Sequence, residues 1–177
     1  MLGKFFRGFL DGSLSTLGIV IGAYSASSSL IIAAGIGGAL ANGISNVLSA
    51  FSAERADEYR QLRKIESAMV AKELKNSEAE YLIHKRTLRI GLVDGFATII
   101  GGAVPVLPYL WLDPYEAMFV ASGLVVGGIF AIGVYLGRLS KRNIVLYGTK
   151  MAMFGIVTAV VVYLIQWAII PSSESNP

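Results

Sequence analysis

Two carboxylates stand where an apolar chain has little use for them. FLDGSLSTLG at Phe9–Gly18 and LVDGFATIIG at Leu92–Gly101 each set an Asp-Gly pair near the start of a long hydrophobic run, at Asp11 and Asp94. An ionised carboxylate inside a bilayer costs about 2.5–3.5 kcal/mol on insertion scales, so such residues are rare and tend to be functional. Two uses remain open at this point. Near a helix N-terminus the dipole and the unpaired N–H groups favour an acid; between helices the same group takes up a cation or a proton. Six residues of apolar or basic helix precede Asp11, which favours the second use there. Asp94 is a candidate proton site or a second-repeat counterpart of Asp11.

Further along, ALANGISNVLSAF carries Asn42, Ser45, Asn46 and Ser49. Their spacing of three and four residues gathers them into one polar stripe on a helix. Neutral oxygens beside a carboxylate suit a hard or borderline divalent cation; the same side chains also serve as hydrogen bonds between membrane helices. Glu54 and Glu58 follow at i, i+4 and continue directly from that helix, which makes them candidate metal ligands. On one unbroken helix Glu66, Glu73, Glu80 and His84, the only histidine, would fall within about 40° of one another. A break at Lys75–Ser77, with Ser77-x-x-Glu80 as a capping box, divides that stripe. A solvated, salt-bridged helix pair is therefore expected there, with Glu66, Glu73 and His84 as its ligand candidates.

The elements that position these residues follow from composition. Of 177 residues 54% are hydrophobic and 15% charged, and mean hydropathy is +0.62; soluble domains carry about 25% charged residues. A hydrocarbon core of roughly 30 Å needs about 20 apolar residues per helix. Five such stretches occur, at Phe5–Tyr24, Leu30–Phe51, Ile90–Leu110, Tyr115–Gly137 and Met151–Ile170. The expected fold is thus an all-α polytopic membrane protein with five transmembrane helices. Residues 1–51 hold the first two, 52–89 form a cytoplasmic helical insert, and 90–177 hold the last three and a short outer tail. Five passes put all fifteen Lys and Arg on one side, which the positive-inside rule makes cytoplasmic, with the C-terminus outside. The N-terminal stretch imitates a signal peptide, but Asp11 and the mid-chain recurrence of its motif argue for a retained helix.

That recurrence is an internal repeat. At an offset of 83 residues Asp11, Gly12 and Gly18 fall on Asp94, Gly95 and Gly101, and Ser15 falls on Thr98. Both copies start from the same side, so two parallel helix pairs are expected, with the fifth helix outside the repeat. Gly18-xxx-Gly22, Gly123-xxx-Gly127 and Gly133-xxx-Gly137 suit close helix packing, the first as a candidate subunit contact. Tyr109, Trp111, Tyr163 and Trp167 are expected in the outer aromatic belt. Pro105 and Pro108 kink or end the third helix, and Asp113 and Glu116 fall in or beside a solvated outer loop.

Enzymatic chemistry is not indicated. Without cysteine there is no thiolate metal site or thiol redox chemistry, and no nucleophile–base pair or phosphate-binding glycine loop occurs. The basic residues sort by membrane side rather than into a nucleic-acid-binding patch.

DGSLSTLGIVIGA at Asp11–Ala23, GGALANGISNVLSAFSAER at Gly37–Arg55 and GGAVPVLPYL at Gly101–Leu110 resemble the vacuolar iron transporter family, the Ccc1-like divalent-metal exporters. The resemblance implies a homodimer with its pathway along the first helices, metal bound by Asp11, and export of Fe²⁺ or Mn²⁺ from the cytoplasm against protons. It implies no resident cofactor, the metal being substrate. A prokaryotic plasma membrane is the simplest location. The chain departs from the family pattern where Leu10 precedes Asp11, and where Asn42 and Asn46 stand for the usual Met and Glu. The insert also lacks the usual acidic run. The alternative reading is a membrane scaffold or binding protein that keeps the fold and has lost the metal ligands.

Overall fold

The computed structural model describes residues 1–68, 78–141 and 143–169, apart from the side chains at 65, 66, 68 and 78–80. Five long helices account for nearly all of them: α1 (Leu2–Gly22), α2 (Ser28–Ala68), α3 (Glu78–Ala103), α4 (Pro114–Leu139) and α5 (Ile144–Ile169). A 3₁₀ segment, Val104–Leu110, continues α3. No strand is present among the described residues.

Helices α2, α4 and α5, and α3 with its 3₁₀ extension, are long and apolar enough to cross a membrane. Their outward surfaces agree. Ile44, Leu48, Phe119, Phe154, Leu164 and Ile169 are all exposed on a single chain, an arrangement that water would penalise and hydrocarbon does not. The molecule is an integral membrane protein. Helix α1 has a similar length, but Lys4, Arg7 and Asp11 lower its hydropathy.

Side-chain contacts at the two ends fix the helix directions. At one end Lys4 meets Glu54, Arg7 meets Asp94, Arg86 meets Glu58, and the Phe6 and Tyr135 rings lie 5.4 Å apart. At the other end Tyr24 stacks near Tyr163 at 6.3 Å and the Tyr109 hydroxyl donates to the Val20 carbonyl at 3.4 Å. Helices α1, α3 and α5 therefore run one way, and α2 and α4 run the other.

The polar stretch after Phe51 begins on α2, which continues unbroken to Ala68. Pro105 and Pro108 end α3 at Ala103 and carry the chain on as the 3₁₀ segment. One expectation fails in the aromatic belt. Tyr109 is 2% exposed and belongs to the core rather than the aromatic belt, whereas Trp111, Tyr163 and Trp167 are exposed.

The apolar core fills the end opposite Lys4 and Arg7. Leu17, Val20 and Ile21 of α1 meet Ile31, Val106 and Tyr109, and Ala117 through Ile129 of α4 close over them. Towards the other end the packing changes to backbone against backbone. A Cβ on Gly8 would lie 3.1 Å from Ala97, and one on Gly12 would lie 2.7 Å from the Thr98 carbonyl carbon. Only glycine permits that approach of α1 to α3. Gly91 and Gly95, at the matching repeat positions, face α2 instead. The repeat in sequence is therefore not a repeat in packing. A Cβ on Gly18 or Gly22 would lie 3.7 Å from Val162 of α5 in the same chain. Gly133 and Gly137 pack on α5, while Gly123 and Gly127 have nothing within 4 Å.

Candidate functional site

Helix α1 brings Asp11 to the surface of α2, and two amides meet it there. The Asn46 side-chain nitrogen donates to Asp11 Oδ2 at 2.6 Å, and that of Asn42 donates to the same oxygen at 3.2 Å. One turn separates the two asparagines, so one helix face presents both. Asn42 also donates to Ser15 Oγ at 2.9 Å, and Asn46 to Thr98 Oγ1 at 2.9 Å. Ser15 in turn donates to the Asp11 carbonyl, and Thr98 to the Asp94 carbonyl. The amides thus tie α1, α2 and α3 together through one carboxylate. Asp11 Oδ1 has no hydrogen-bond partner among the described residues.

Asp11 is exposed, and it opens onto a cavity of about 390 Å³ lined by Arg7, Asp11, Asn46, Ser49, Ala50 and Ala53. Ser15, Ser45 and Ser49 are exposed around it. Polar side chains at this depth would normally turn into a bundle or a wet cavity; here they face outward from a single chain.

Asp94 has the opposite setting. It is 1% exposed and accepts two charge-assisted hydrogen bonds from Arg7, at 2.5 Å from Nη2 and 3.2 Å from Nε. The pair fits the planar fork geometry that makes Arg–carboxylate contacts strong. The two Asp-Gly motifs, alike in sequence, hold one open carboxylate and one neutralised carboxylate.

The remaining sequence candidates do not join Asp11. Glu54 is bonded to Lys4 of α1, and Glu58 pairs with Arg86 of α3 at 3.3 Å. Both tie the extension of α2 to its neighbours. His84 is exposed, with its ring edge-on to Phe51 at 5.6 Å. Glu73 and the side chain of Glu66 lie outside the described residues, as does the proposed break at 75–77. Among the described residues no group of three His, Cys, Asp or Glu is placed to hold a metal. Two partners escaped the sequence reading as site residues, Arg7 and Thr98. Each had a signal: Arg7 precedes Asp11 by one helical turn, and Thr98 is the repeat counterpart of Ser15.

Comparison with known proteins supplies the lineage. The sequence profile described as the VIT family matches residues 47–167. An uncharacterized protein of Methanocaldococcus jannaschii is 43% identical over 169 residues, covering 92% of this chain and 86% of the relative. The profile spans more than half the chain and the relative nearly all of it. The chain belongs to the vacuolar iron transporter family, a family of membrane metal-ion transporters.

Proposed function

We propose that this protein is a secondary transporter that exports a divalent cation, Fe²⁺ or Mn²⁺, from the cytoplasm in exchange for protons. One observation carries the reading: Asp11, on the outward face of an apolar helix, opens onto a cavity with one carboxylate oxygen unpartnered among the described residues and two amides on the other. A carboxylate with neutral oxygen ligands suits a hard or borderline divalent ion. For the Asn42 and Asn46 oxygens to join it, each amide turns about its terminal torsion; Oδ1 needs no such turn. Protonation of Asp11 from the outer side then releases the ion, since a proton and a divalent cation compete for the same carboxylate.

The topology that serves this is five spans, α1 included, with the N-terminus cytoplasmic. The up–down order of the helices puts every described Lys and Arg at one end, which supports that orientation in a prokaryotic plasma membrane. Glu54 and Glu58 stand at the cytoplasmic end and gather the cation by exchanging their Lys4 and Arg86 partners for it. The protein works as a homodimer. An outward-facing stripe of Asp11, Ser15, Ser45 and Ser49 is costly against lipid, and a second copy across it would turn the open cavity into a lined path.

Flux of Mn²⁺ or Fe²⁺ into proteoliposomes under a pH gradient tests the proposal. Wild type is expected to transport and Asp11→Asn to fail. Equal flux in the two would remove Asp11 from the path. A second reading, a scaffold that has lost its ligands, draws on the amide nitrogens facing Asp11 and the occupied Glu54 and Glu58. It predicts no flux in wild type, and no thermal stabilisation by Fe²⁺, Mn²⁺ or Co²⁺.

A further inference from the structure

Arg7 stands one helical turn before Asp11 on the same helix, and the two side chains line one cavity. Residues at i, i+4 on a helix are within reach of each other, and an acid and a base so placed pair readily. The Arg7 side chain is 55% exposed, yet it does not pair with the carboxylate four residues along its own helix. It turns across to α3, where Asp94 is buried and offers a bidentate grip. A guanidinium on Asp11 would put a fixed positive charge in the place of the transported cation.

We propose that Asp94 is a positioning residue that holds Arg7 away from Asp11 and so keeps the cation site vacant. The proposal rests on the reading of Asp11 as the cation site. Burial gives Asp94 its hold: an ionised carboxylate at 1% exposure is stable only with its partner in place, so the Arg7–Asp94 pair persists while Asp11, facing the cavity, stays available. The Asp-Gly motif has thus diverged into two roles. One copy binds the ion, and the other neutralises an internal competitor for the same place.

The test compares Mn²⁺ flux into proteoliposomes for wild type, Asp94→Asn, Arg7→Gln and the double variant Arg7→Gln/Asp94→Asn. Removing the Asp94 charge releases Arg7 onto Asp11, and flux falls by at least about tenfold, the worth of one charge-assisted contact. Removing Arg7 as well takes away the competitor, and flux returns to within about threefold of wild type, because an amide pair keeps a hydrogen bond across the helices. Arg7→Gln alone leaves the buried Asp94 without its partner and loses stability, so the double variant, in which neither charge remains, is the one that reads the site. A merely structural ion pair predicts flux that follows the melting temperature in every variant; the proposal expects Asp94→Asn to lose flux at a melting temperature like that of wild type, because Arg7 is 55% exposed and needs no buried partner. Full flux in Asp94→Asn, a double variant that stays inactive, or a loss of folding in all three variants overturns the proposal. Absence of flux in wild type overturns the transport reading itself and is recognised by that control.

Discussion

Replacing Gly12 by alanine adds one methyl group at the place where α1 and α3 touch backbone to backbone. The new Cβ would stand 2.7 Å from the Thr98 carbonyl carbon and 2.9 Å from the Gly102 nitrogen, where ordinary contact begins near 3.4 Å. The helices must part by at least 3.4 − 2.7, about 0.7 Å, and no side chain is available to yield instead. Overpacking of this kind costs about 1–3 kcal/mol, and a backbone neighbour puts it at the upper end. Alanine returns up to about 1 kcal/mol through its better helix propensity, leaving a net loss of about 2 kcal/mol. Gly18 provides the control within the same helix. Its Cβ would meet only Val162 at 3.7 Å, an ordinary contact, so Gly18→Ala is neutral or slightly stabilising. For a chain of this size the difference corresponds to an apparent Tm about 4–8 °C lower for Gly12→Ala. Thermal unfolding of the two variants in the same detergent measures it. Equal shifts, or a neutral Gly12→Ala, would refute the close α1–α3 crossing on which the placement of Asp11 and Arg7 depends.

Two further outcomes follow from the same geometry. Asn46→Ala removes the hydrogen bonds to Asp11 Oδ2 and Thr98 Oγ1, and loss of such an outer partner is expected to weaken Mn²⁺ binding by about 10-fold, read from the metal dependence of the melting temperature. An unchanged midpoint would take Asn46 out of the site. Tyr109→Phe keeps the buried ring and gives up only a long 3.4 Å hydrogen bond to Val20, so unfolding should shift by no more than about 1 kcal/mol; a larger loss would mean that the hydroxyl does more than hold the end of α1.

Much of the architecture is legible in the sequence because a bilayer leaves few choices. Backbone groups in hydrocarbon must bond within their own segment, so each apolar run of sufficient length becomes a helix, and the basic residues between runs record which ends share a side. The helix limits near Gly22, Leu110 and Leu139 therefore fall close to the ends of the apolar stretches. Asp11 was likewise legible, since a lone carboxylate in such a run stands out, and so was the i, i+4 relation of Asn42 to Asn46 that puts both on one face.

The tertiary structure alone decided the different settings of the two Asp-Gly motifs. Both carry Asp-Gly with a further glycine six residues on, and that shared spacing does not separate them. The separation comes from packing: Gly8 and Gly12 let α1 lie against α3 at Asp94 and Thr98, which buries Asp94 and brings Arg7 to it, while Asp11 is left on the outer face for Asn42 and Asn46 to meet. Likewise Gly18 and Gly22 fit a packing motif in sequence, but only the position of α5 shows which helix they receive. The physical reason is the same in each case. Hydropathy and helical period depend on neighbours along the chain, whereas burial, charge pairing and backbone contact depend on residues tens of positions away, which only the folded bundle brings together.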